Sequence, residues 1–122
     1  DAGGERGLRI SLFGSAIGSA FLSSLCDDEV RRLAERARVP DGEMPLVLDT
    51  LATIRRCGYA DGPAAGQHIW SIGMPLPAGV LHGRGVLGLA GPASIIRERT
   101  ADYAGIMRDA VDRWMPGEQD RP

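Results

Sequence analysis

Glycine sets the tightest limit on what this chain can fold into: 17 of its 122 residues are glycine, about twice the usual share of roughly 7%. They concentrate in the stretches Gly14–Gly18 and Gly79–Gly91, with no repeat period. A residue without a Cβ is favoured where a chain turns sharply or two backbones approach closely. Tight turns and close packing are therefore expected, and low-complexity disorder is not. A chain of this length is expected to form a single domain spanning 1–122, able to bury roughly two thirds of its unfolded surface in one core. Its 43% hydrophobic and 25% charged residues are ordinary globular values.

Charge excludes some partners. The formal net charge is -2, from 16 acidic and 14 basic residues that alternate locally instead of forming blocks. Every basic residue is arginine. Such a balance is not expected to hold DNA or an anionic membrane by itself. Cys26 and Cys57 have no metal-ligand spacing, so reduced thiols in a cytoplasmic protein are expected. No apolar run approaches the roughly 20 residues that span a bilayer. The opening DAGGERG has neither a signal-peptide shape nor a starting Met, and the chain reads as a fragment whose natural beginning lies upstream.

Periodicity outlines the elements. After a short extended lead-in (Leu8 to Leu12), Ile17, Phe21 and Leu25 recur every fourth residue behind a candidate N-cap, Ser15, which predicts a first amphipathic helix. Asp27, Asp28 and Glu29 open a second, with a Val30, Leu33, Ala34 and Ala37 stripe and arginines toward its end, as suits the helix dipole. Past a turn-rich linker, Pro40 to Pro45, a third helix carries Val47, Leu48, Leu51 and Ile54, and Gly58 can close it in a left-handed cap. Gln67 to Pro75 and Gly85 to Ala90 read as two antiparallel strands. Tyr103, Ile106, Met107, Ala110, Val111 and Trp114 form the clearest helical stripe, which Pro116 ends. Together they predict an α+β domain, with helices packed on an antiparallel sheet.

Candidate chemistry is sparse. Cys26, Cys57, several serines, His68 and His82 carry no local nucleophile signature, and neither histidine has a metal partner at ligand spacing. No catalytic residue, metal or cofactor is assigned. The glycines at 14 and 18 lack a phosphate-loop ending. Small residues at the first helix start still expose backbone N–H groups that suit either a small carboxylate or close packing.

Four stretches, in their order, resemble the effector-binding domain of IclR-family transcriptional regulators: SLFGSAIGSAFLSSL (11–25), IRRCGYAD (54–61), SIGMPLP (71–77) and GLAGP (88–92). The resemblance runs from Leu8 to Trp114. It implies a GAF-like domain, truncated at its N-terminus, that binds a small effector, an organic or aromatic acid. Such a domain controls a winged helix-turn-helix reader of DNA, which this chain lacks, and assembles as a homodimer or homotetramer.

By position, the resemblance assigns effector contacts to Ala16, Ile17, Asp61, Ser71, Gly88 and Ala90. Ser71 stands where the family usually has a thiol, and Gly88 and Ala90 where it has hydroxyls. These departures imply a roomier, less polar pocket, in which the helix-one N–H groups and Ser71 meet any carboxylate. Ala16, Ile17, Gly88 and Ala90 would serve equally as close-packed core, and Asp61 as a turn residue before Gly62-Pro63. Two other functions remain open: an oligomerisation module with a degenerate pocket, and an enzyme using Ser71, His68 or Cys57.

Overall fold

The computed structural model describes residues 12–64, 66–77 and 85–114; the Trp114 side chain, His82 and the expected lead-in at 8–11 lie outside the described residues. Three helices come first. The first, α1 (Ala16–Leu22), starts where expected, because Ser15 Oγ accepts the Gly18 N–H at 2.9 Å. Its buried face differs from the expected row. Ala16, Gly18, Ala20 and Leu22 point inward, Ile17 and Phe21 are half-buried, and Leu25 is buried beyond the helix end.

Helix α2 (Asp27–Arg36) buries Val30 and Ala34, and the Glu29 carboxylate accepts the Cys26 N–H at 3.3 Å. Helix α3 (Met44–Cys57) begins earlier than the apolar row indicates, directly after a 3-10 turn, Asp41–Glu43. Pro45 sits in its first turn, where a missing N–H costs no hydrogen bond. Gly58 closes α3 at φ +92, the left-handed cap anticipated from its position. Arg55 then ties the three helices together: it donates to the carbonyls of Ser23 and Leu25 at 2.9 Å each and pairs with Asp27 at 3.4 Å.

Three antiparallel strands, β1 (Ala60–Ala64), β2 (Ile69–Pro75) and β3 (Val86–Pro92), form a sheet in the order β1-β2-β3. β1 is an addition to the expected pair. ADGPA reads as a turn, but pairing with β2 extends it, and Pro63 is tolerated because β1 lies at the edge of the described sheet. His68, expected in a strand, lies in the turn before β2. After β3 come a short helix, α4 (Ala93–Ile96), a 3-10 turn (Arg97–Arg99) and α5 (Thr100–Trp114).

Side-chain alternation along β2 separates two cores. Ile72 and Met74 face α4 and α5, packing with Ile96, Ala104, Met107 and Val111. Gly73 faces the other way, toward α1, whose Ala16 and Ala20 join Leu22, Val30, Leu51 and Ile54. The α5 stripe is thus narrower than its periodicity implies, since Ile106 is 63% exposed. No helix among the described residues is long and apolar enough to cross a membrane.

Candidate functional site

Strand register places the expected effector residues. Ser71 lies opposite Gly62 on one side and Ala90 on the other, and Gly73 lies opposite Gly88, so Ser71, Gly73, Gly88 and Ala90 share one face. That face meets α1, and Ala16 and Ile17 stand at its first turn. Five of the six positions therefore lie on the α1 side of the sheet.

Backbone contact dominates there. A Cβ built on Gly73 would come within 3.0 Å of both Ala16 O and Ile17 Cα, and within 3.1 Å of Ala20 Cβ. At Gly88 a Cβ would meet Ile17 Cδ1 at 3.1 Å. The roomier pocket expected from Gly88 is accordingly not open at that point, because Ile17 fills the space that a side chain at 88 would take. Ser71 is 3% exposed and donates its hydroxyl to Gly62 O at 3.3 Å. Gly88 and Ala90 remain exposed.

Asp61 behaves differently. It lies opposite Ile72, on the sheet face turned away from Ser71, and its Oδ2 accepts the Trp70 Nε1–H at 2.8 Å. Arg97 stacks over the same indole, 5.2 Å from the ring centroid. Its neighbourhood is a strand, not the turn before Gly62-Pro63 considered from the sequence. Asp61 is nevertheless on the edge strand, and a cleft of about 540 Å³ runs along that edge between α1 and α3. Ala16 and Asp61 line it; Ile17, Ser71, Gly88 and Ala90 do not. The hydroxyl-bearing residues Ser15, Ser19, Thr50, Thr53 and Tyr59 also line it.

Ser19, Thr50 and Arg55 carried no signal in the sequence, because their placement depends on α1 and α3 meeting across more than 20 residues of intervening chain. Two of the candidate nucleophiles are engaged with backbone: Cys57 Sγ donates to Tyr59 O at 3.2 Å, and Ser71 Oγ to Gly62 O, while Cys26 is exposed. No group of three or more His, Cys, Asp or Glu among the described residues is placed to hold a metal ion.

No family model and no curated protein matches the chain. Solved structures do match. The effector domain of the transcriptional regulator IclR from Acinetobacter sp. ADP1 shares 19% identity at a TM-score of 0.66, over 88% of this chain and 66% of that one. An IclR transcriptional regulator from Silicibacter sp. TM1040 shares 21% at 0.71, over 95% of this chain and 50% of that one. The C-terminal domain of the E. coli transcriptional regulator KdgR shares 22% at 0.64, over 82% of this chain and 66% of that one. The chain has the fold of an IclR effector domain. In this chain that α+β, GAF-like fold comprises the three strands and five helices described, and it spans between one half and two thirds of the length of those structures.

Proposed function

We propose that residues 1–122 are one unit, the C-terminal part of the effector-sensing domain of a cytoplasmic transcriptional regulator. A small metabolite bound on the α1 side of the sheet biases the arrangement of a dimer or tetramer, and with it the grip of a helix-turn-helix reader on DNA. DNA is contacted only through that reader.

One observation carries this reading: α1 rests on the sheet through backbone and small residues, with Gly73 beneath Ala16 and Ala20. A molecule that enters beside such a contact must move the helix as a body, since no flexible side chain at Gly73 can yield in its place. The fold likeness to regulator effector domains supports it. The effector contacts proposed from the sequence are Ala16, Ile17, Asp61, Ser71, Gly88 and Ala90, of which Asp61 stands apart on the opposite face of the sheet. An organic or aromatic acid would find fewer open donors than expected, because Ser71 is bonded to Gly62 O and the Gly18 N–H to Ser15.

A second reading is an oligomerisation module whose pocket is closed, and the Ile17 side chain over Gly88 favours it. A thermal-shift screen of the full-length regulator separates the two, because a ligand that binds only the native state raises its apparent stability by mass action. A saturable shift from one chemical class, lost in Ser71→Leu, is the result expected of a sensor. Absence of any shift, with assembly that depends on protein concentration alone, would leave the oligomerisation module.

A further inference from the structure

We infer that the patch formed by Asp61, Pro63, Trp70 and Arg97, on the α4–α5 face of the sheet, is a contact surface for a second copy of this chain, held by reciprocal pairing of Arg97 with Asp61 across a two-fold axis. The inference rests on the regulatory reading above and names a surface through which that assembly forms.

The indole of Trp70 organises the patch. Trp70 lies in β2 opposite Pro63 of β1, and Asp61, two residues before Pro63, shares that face of the sheet. Edge and face of the ring are each engaged by a charge. Nε1–H donates to Asp61 Oδ2 at 2.8 Å, and the Arg97 guanidinium stands over the ring, 5.2 Å from its centroid. Two opposite charges are thus held on one side chain without pairing with each other. Arg97 makes no hydrogen bond or ion pair with a described residue, whereas Arg99, two positions on, is taken by Asp102 at 3.6 Å. Oδ1 of Asp61 likewise accepts no hydrogen bond from a described residue. Asp61, Pro63 and Arg97 are exposed, and Trp70 is half-buried.

These residue types point to a protein partner. Trp and Arg are the side chains that most often anchor protein contacts, and a guanidinium already stacked on an indole loses little freedom when it takes a carboxylate. Charge then selects which protein. An acidic surface would be drawn to Arg97 and repelled by Asp61, and a basic surface the reverse. A second copy carries both groups, and a two-fold axis is the arrangement in which one residue meets another and is met by it in return. Each Arg97 then faces Asp61 of the other copy, and two charge-assisted contacts form at once. The approach is face on and uses side chains, so the missing N–H of Pro63 does not impede it. Four residues are far fewer than the roughly 20–30 a side of a standard stable interface, so the patch anchors a reversible contact. An assembly that a metabolite is to bias needs such reversibility.

Sedimentation velocity of the full-length regulator over a range of concentrations tests this. Asp61→Arg leaves only positive charge on the patch and Arg97→Asp only negative, so each variant alone is expected to associate about tenfold or more less tightly than the original. An equimolar mixture of the two should associate with close to the original affinity, because the positive patch of one then faces the negative patch of the other. A folding defect cannot be repaired by mixing. If Asp61→Arg lowers the urea midpoint, Asp61→Asn takes its place: its amide oxygen still accepts the Trp70 N–H, and it should weaken association several-fold.

Variants that assemble like the original overturn the surface and leave the assembling regulator standing. Weakened association that mixing does not restore overturns the reciprocal pairing. A regulator that stays monomeric at every concentration overturns both.

Discussion

The two faces of the sheet are closed by opposite means. On the α4–α5 side, large side chains interlock: Ile72 and Met74 are at most 1% exposed and pack with Ile96, Met107 and Val111. On the α1 side, Gly73 leaves space that the helix backbone itself fills. Burial of apolar side chains brings roughly 1.5–3 kcal/mol each, so on the first face the strand itself contributes through Ile72 and Met74. On the second, the large buried side chains are Leu22, Val30, Leu51 and Ile54 of the helices, and the strand's part at Gly73 is to fix the distance between helix and sheet. One face is sensitive to lost atoms and the other to added ones.

That asymmetry can be broken by mutation. Met74→Ala removes buried volume on the α4–α5 side and is expected to cost about 2–5 kcal/mol, read as a lower urea midpoint. Gly73→Ala adds a single methyl against immovable backbone on the other side and is expected to cost about 1–3 kcal/mol. A Gly73→Ala protein with the wild-type midpoint would refute the contrast between the faces.

Arg55→Ala tests how the α1 side is held. It leaves the Ser23 and Leu25 carbonyls without their guanidinium donor, and partial exposure lowers the expected loss to about 1–2 kcal/mol. Hydrogen exchange should then quicken around the α1–α2 junction before it does in α5. Gly88→Ala is the mildest change. The new methyl's tight contact is with the movable end of Ile17, and backbone comes no nearer than Ile72 O at 4.0 Å, so stability should stay within about 0.5 kcal/mol of the original. Combined with Ile17→Ala, it should show a coupling that sums of single variants miss, and strict additivity would mean that the two residues do not touch.

Local signals were legible in the sequence and distant ones were not. Ser15 as a cap and Gly58 as a helix end are decided by a few neighbouring residues, and both stand where expected. The helical stripes located α2, α3 and α5, but spacing weighs large apolar residues and so chose Ile17 and Phe21 over Ala16 and Ala20. Contact with Gly73 reverses that choice, since only the smaller pair lets the backbones meet. β1 was hidden because Asp61, Gly62 and Pro63 favour a turn until β2 is available to pair with them. Missing β1 also concealed the parity that turns Asp61 away from Ser71, which is why one of the six proposed contacts departs from the other five.

Pro63 bears on what the described edge of β1 can pair with. A polypeptide that docks on an open strand lines up its own amides and carbonyls with a regular ladder of partners, and Pro63 cannot donate to that ladder. The border of β1 is therefore a poor template for another chain, including a neighbouring copy at the high concentrations of purification. One imino acid thereby limits how far the described sheet can grow by adding strands at β1.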